Sequence, residues 1–130
     1  MTNSKPDLLK IREALEASWD MQTSYLAVSK ASNPALGQCY PTSRVVQFIF
    51  PETEIIKGKV WNGKEIETHF WNGLMIDGVL YHIDLTWQQF PPGSTVREFK
   101  ILDRDLLDDS AQTIVRCELL KQREIGRAHV

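Results

Sequence analysis

The chain has 130 residues, 42% of them apolar, with 15 basic and 17 acidic side chains and a formal net charge of −2. A chain of this size and composition builds one domain with its own core, and two cysteines, Cys39 and Cys117, are too few for a disulfide framework. A phosphate-backbone binder needs a basic face, which excludes nucleic acid as the expected partner. No stretch reaches the ~20 apolar residues of a membrane span, and no apolar leader follows Met1.

The expectation is therefore one cytoplasmic α+β domain over 1–130, a monomer or small homo-oligomer, with disordered ends at about 1–4 and 126–130. Ser4-Lys5-Pro6-Asp7 reads as a helix start, with Leu8, Ile11, Leu15 and Trp19 as the apolar stripe of a helix that ends near Asp20. Residues 24–37 read as a loop from Ser29, Ser32, Asn33-Pro34 and Gly37. Val45, Val46 and Ile49 recur at helical intervals, and Pro41 is tolerated only in a first turn. A second helix is thus predicted to begin near 39–41, with Cys39 at its N-terminus, and to close at Pro51.

Three strands are predicted next, over 54–61, 67–74 and 79–86, joined by the hairpin signals Asn62-Gly63 and Asp77-Gly78. Phe90-Pro91-Pro92-Gly93 reads as a further turn. A last helix is expected from about Asp108 to Glu124, with Ala111, Ile114, Val115 and Leu119 on its apolar side and Gly126 as C-cap. The predicted order is α, α, β, β, β, α.

Residue parity in the second hairpin carries the chemistry. With Met75–Gly78 as the loop, His69 faces Asp84; with a two-residue Asp77-Gly78 loop, it faces Thr86. In both registers His69, Asp84 and Thr86 share one side of the sheet. That side also carries Trp71 and His82, whereas Phe70, Leu74, Val79, Tyr81, Ile83, Leu85 and Trp87 read as the core side. Trp71 and His82 are assigned to a substrate groove and Trp87 to the core.

A cysteine at a helix N-terminus beside an imidazole is set up to ionise, since thiolate is favoured by the helix dipole and by a nearby imidazolium. Asp84 would orient His69, and Gln38 would support an oxyanion together with the Cys39 N–H. Asn72 and Thr86 are further supporting candidates. The plain alternatives are a buried structural Cys39, and a hydrogen-bonded cluster in a non-catalytic module that binds a peptide or small ligand. A metal set of His69, His82 and Asp84, with Cys39, has no signature spacing, so no metal and no cofactor are expected. Cys117 reads as core, and His129 as part of the chain end.

Asn33-Pro-Ala-Leu-Gly-Gln-Cys39, Pro41-Thr-Ser-Arg-Val-Val-Gln47, His69-Phe-Trp-Asn72 and Ile83-Asp-Leu-Thr-Trp-Gln-Gln-Phe90 resemble the YunG-like family of small bacterial proteins across about residues 30–92. More distantly, the arrangement is similar to the papain/transglutaminase core, in which a helix-start Cys meets His and Asp or Asn on neighbouring strands. The resemblance implies a helix bearing Cys39 at its N-terminus, packed on a three-stranded or slightly larger antiparallel sheet between N- and C-terminal helices. With the residues, it makes the expected function hydrolysis or acyl transfer by a Cys39–His69–Asp84 triad. The expected partner is a peptide or small-molecule acyl substrate carrying an amide, isopeptide or thioester.

Overall fold

The structure, a computed structural model, describes residues 8–26 and 32–128. The helix-start signal at Ser4–Asp7 and residue His129 lie outside them. Within them the fold is α+β. Helices α1 (Leu8–Ser18) and α2 (Cys39–Ile49) come first, followed by strands β1 (Glu54–Trp61), β2 (Ile66–Ile76) and β3 (Val79–Ile83). Strand β4 (Thr95–Ile101) and helix α3 (Ala111–Ala128) complete it. The strands form one antiparallel sheet in the order β3-β2-β1-β4.

The main core lies among the helices. Ile11, Leu15 and Trp19 from α1 and its end pack with Ala35, with Val45 and Val46 of α2, and with Leu120 of α3. Burying side chains of this size contributes about 1.5–3 kcal/mol each. Trp19 also donates its indole N–H to Thr42 Oγ1 at 3.0 Å, which fixes the end of α1 against the first turn of α2. On the sheet, Ile55, Ile56 and Val60 of β1 are fully buried. Asn72 of β2 donates to the Ser43 carbonyl at 3.0 Å, and this bond locks α2 to the strand beside it.

Several expectations are corrected. A fourth strand, β4, follows the Phe90–Gly93 turn. Its alternation is broken by a bulge: Lys59 pairs with Glu98 but Val60 pairs with Val96, which leaves Arg97 extra. Val96, Phe99 and Ile101 therefore share one face at spacings of three and two.

Strand β3 stops at Ile83 instead of Thr86, because Asp84 Oδ1 accepts from the Thr86 N–H at 3.1 Å and turns the chain into a short 3-10 segment at Trp87–Gln89. Trp87 is only half-buried there, not core. Val79 and Tyr81, read as core, are each 52% exposed, while the opposite side carries the buried His69 and Trp71.

The last helix runs through Gly126 to Ala128, so neither the C-cap nor an unstructured 126–128 is found. Ser110 caps its start by accepting from the Thr113 N–H. Its inward stripe is Thr113, Leu120 and Glu124, whereas Ile114 and Val115 are exposed. Among the described residues no helix is long and apolar enough to cross a membrane.

Candidate functional site

Two turns meet in front of α2. Residues 20–26 fold back on 36–38: the Tyr25 N–H donates to the Gly37 carbonyl at 2.7 Å, and Gln38 donates from Nε2 to the Asp20 carbonyl and accepts from Thr23 Oγ1. Gly37 has φ +75°, and a Cβ there would stand 2.3 Å from Ser24 Oγ. Only glycine satisfies both the backbone and that approach. Gln38 is fully buried, with its side chain holding this junction.

Cys39 is then the first helical residue, after Gln38, whose side chain does not cap the helix. Pro41 has no N–H to offer, so the N–H groups of Cys39 and Tyr40 are the free donors of this helix end. The Cys39 side chain is half-buried.

His69 comes up from β2. The hairpin has the two-residue loop, with Ile76 paired to Val79 and Asn72 to Ile83. Asp77 at φ 50° and Gly78 at φ 80° supply the left-handed backbone that this tight turn requires. Continued, that register sets Thr86 opposite His69. Because β3 ends at Ile83, Asp84 instead swings across, and its Oδ2 accepts from His69 Nε2 at 2.7 Å. The other oxygen, Oδ1, accepts from the N–H and hydroxyl of Thr86, at 3.1 and 3.4 Å. Both carboxylate oxygens are engaged, which fixes the imidazole's orientation.

The imidazole itself is fully buried. It stacks on Trp71 at 5.4 Å and meets Phe90 edge-on at 4.7 Å and Trp87 at 6.1 Å. Burial is the largest influence on its ionisation and works against the charged form. Hydrogen bonds to Asp84 and to the Cys39 thiol, with the charges of both, outweigh it and push the His69 pKa up to about 9. With Asp84 on Nε2, the ring's other nitrogen, Nδ1, has the Gln89 amide 3.5 Å away. Asp84, His69 and Gln89 thus form one hydrogen-bonded row, and Cys39 is near enough to contribute to raising the His69 pKa.

The other expected residues take definite places. Asn72 is buried and braces β2 on α2, while Thr86 is buried and holds Asp84. Trp71 is buried and donates its indole N–H to Nδ1 of the exposed His82 at 2.9 Å. Cys117 is corrected from core to the half-buried wall of a groove between α2 and α3.

Two residues were overlooked. Gln89 lies 3.5 Å from His69 Nδ1 and donates to the Thr86 carbonyl, and Phe90 covers the ring. Both belong to the Asp84–Phe90 run, where their signal lay. Among the described residues, no group of three or more His, Cys, Asp or Glu side chains could hold a metal ion.

A family model described as YunG protein matches residues 7–128. The chain belongs to this family. No curated protein and no solved structure matches it. The family match spans the whole described structure, so α1, β4 and α3 belong to the YunG unit as much as Cys39, His69 and Asp84 do.

Proposed function

We propose that this YunG-family chain is a cysteine-nucleophile hydrolase or acyl transferase of papain/transglutaminase-like design, acting on an amide, isopeptide or thioester. The observation that supports the reading is the buried His69 imidazole, held by Asp84 on Nε2, whose pKa is raised in part by Cys39.

A pKa pushed up to about 9 keeps this ring protonated at neutral pH, and the thiolate of Cys39 is the attacking form in the proposed reaction. The thiolate attacks the substrate carbonyl carbon and a C–S bond forms. The resulting oxyanion lies toward the N–H groups of Cys39 and Tyr40. On collapse, the bond to the leaving amine or thiol breaks and His69 delivers its proton to that group. Water, or an acceptor amine, then attacks the thioester while His69 takes its proton back, and the thiolate is released.

In this mechanism Asp84 touches no substrate: it orients and charges His69. Gln38, Asn72 and Thr86 are positioning residues, since their polar groups hold the junction, the strand and the carboxylate.

Alkylation by iodoacetamide at pH 7 tests the reading. Cys39 is expected to react about 10-fold or more faster than a free cysteine peptide, and His69→Ala to abolish the excess. A Cys39 rate equal to that of the free peptide, unchanged by His69→Ala, overturns the proposal.

A further inference from the structure

The turn after β3 does more than supply Asp84. It closes on the His69 ring from two sides. Asp84 takes Nε2 at 2.7 Å, and Gln89 brings its side-chain nitrogen to 3.5 Å from Nδ1. Trp87 and Phe90 of the same run meet the ring at 6.1 and 4.7 Å.

Gln89 is held in this place by three hydrogen bonds. Its backbone N–H and its side-chain nitrogen both donate to the Thr86 carbonyl, at 3.0 and 3.1 Å. Its own carbonyl accepts from Asn33 Nδ2 at 3.0 Å, a tie across 56 residues to the segment that leads into Cys39. The Thr86 carbonyl only accepts, so the amide turns Nε2 toward it and not Oε1. One hydrogen of that nitrogen goes to Thr86, and the other is left for Nδ1. A bare Nδ1 accepts it, whereas a protonated Nδ1 would set two donors against each other.

The groups around the ring therefore pull in opposite directions. Asp84 and Cys39 favour the charged ring, while burial and a donor on Nδ1 favour the neutral one. The other neighbours, Trp71, Trp87, Phe90 and the opposing Gly58 of β1, carry no charge.

We propose that Gln89 is a positioning residue of this site: pinned by Thr86 and Asn33, its amide holds Nδ1 of His69 as a proton acceptor once the ring has delivered its proton. This rests on the reading of His69 as proton carrier and adds the group that prepares it for the second half of the reaction. At that stage the sulfur is acylated and carries no charge, so Cys39 no longer favours the charged ring. Gln89 then opposes Asp84, and the ring stays neutral until it takes the proton of the incoming water or amine. The contact is long, so the amide orders Nδ1 without keeping it from a shorter hydrogen bond.

The native chain, Gln89→Met and Gln89→Glu test this together. Both variants keep the backbone bonds to Thr86 and Asn33 and lose the side-chain donation to Thr86, so they share any purely structural loss. The His69 ring resonances are followed by NMR from about pH 5 to 11. Gln89→Met is expected to raise the His69 midpoint by about half a unit to one unit, because a donor to the neutral ring is gone. Gln89→Glu is expected to raise it further. Equal midpoints in all three chains overturn the proposal and leave Gln89 a brace of the turn. A neutral ring in the native chain that carries its proton on Nδ1 overturns it as well.

The rate of Cys39 alkylation by iodoacetamide over the same pH range separates this from the reading beneath it. Its alkaline inflection is expected to move up with the His69 midpoint in Gln89→Met. If Cys39 reacts at the free-peptide rate in every chain, the nucleophile reading falls, and the ring titration alone decides Gln89.

Discussion

The two cysteines of this chain lie on different helices, Cys39 at the start of α2 and Cys117 within α3, and differ in the charged groups around them. Cys39 starts α2, facing an imidazole pushed toward its charged form. Cys117 faces α2 from α3, in a groove shared with Arg44 and Asp109. There burial pushes its pKa up to about 12, with the Asp109 charge adding to it despite Arg44 and Arg116 nearby. Both are free and half-buried, so exposure does not distinguish them. In the proposed mechanism the two thiols are separated by the charges the fold brings near them, His69 beside Cys39 and Asp109 beside Cys117.

The sharpest way to break this comparison is competitive labelling at pH 7 with site mapping by mass spectrometry. Cys39 is expected to be modified about 100-fold or more faster than Cys117, since a pKa near 12 leaves almost no thiolate. Cys39→Ala should remove nearly all fast labelling and Cys117→Ala none. Equal rates would place both thiols in the same chemical class.

The pH dependence of stability comes next in size. The His69 pKa is raised in the folded chain, from 6.5 to about 9. The folded state therefore binds this proton more tightly than the unfolded state. The stabilisation is complete below about pH 6.5 and is lost as pH rises to 9, a change on the order of 3 kcal/mol. Urea unfolding at pH 6 and pH 9.5 should show that loss in the native chain and much less of it in His69→Gln. A native chain that is equally stable at both pH values would contradict the charged imidazole.

Gly37→Ala probes the junction ahead of Cys39. Its positive φ and the approach of Ser24 predict about 1–3 kcal/mol of destabilisation, measured by thermal or urea unfolding, with slower Cys39 alkylation as the turn shifts.

The smallest effect is expected on the Cys117 side. Tyr40, the neighbour of Cys39, hydrogen-bonds Asp109, which also pairs with Arg44 at 2.9 Å. Burial first, and then Asp109, holds the Tyr40 hydroxyl well above its ordinary pKa. Asp109→Asn should let it ionise at lower pH in an ultraviolet titration and cost about 1 kcal/mol of stability. No change in that titration would detach Asp109 from Tyr40.

What was legible in the sequence was whatever a local rule determines. Pro41 permits only a first-turn position, so the helix begins at Cys39. Period two in the hairpin puts His69 and Asp84 on one side for either a two- or a four-residue loop. The rest depended on contacts between distant residues. Gln38 reads as a free amide until Asp20 and Thr23 are brought to it across an intervening loop. Strand β4 was missed because Arg97 breaks its alternation. The inward side of α3 was misread because a buried Glu124 looks like a solvent-facing residue while the exposed Ile114 and Val115 look like core. The end of β3 was misplaced because the Asp84–Thr86 turn ends the strand while the apolar alternation continues through Leu85 and Trp87.

The bulge at Arg97 has a consequence of its own. β4 is one of the two edge strands, and all seven of its residues are exposed. A straight, flat strand in that place would recruit another chain edge to edge, the first step of fibrillar association. The extra residue twists the edge away from that use, and the charges of Arg97, Glu98 and Lys100 oppose close approach. Substituting Arg97 leaves the irregularity in place, whereas deleting it keeps Val96 opposite Val60, puts Val96, Phe99 and Ile101 at regular spacings of two on one face, and straightens the edge. At this position a lost codon is far more damaging than an altered one.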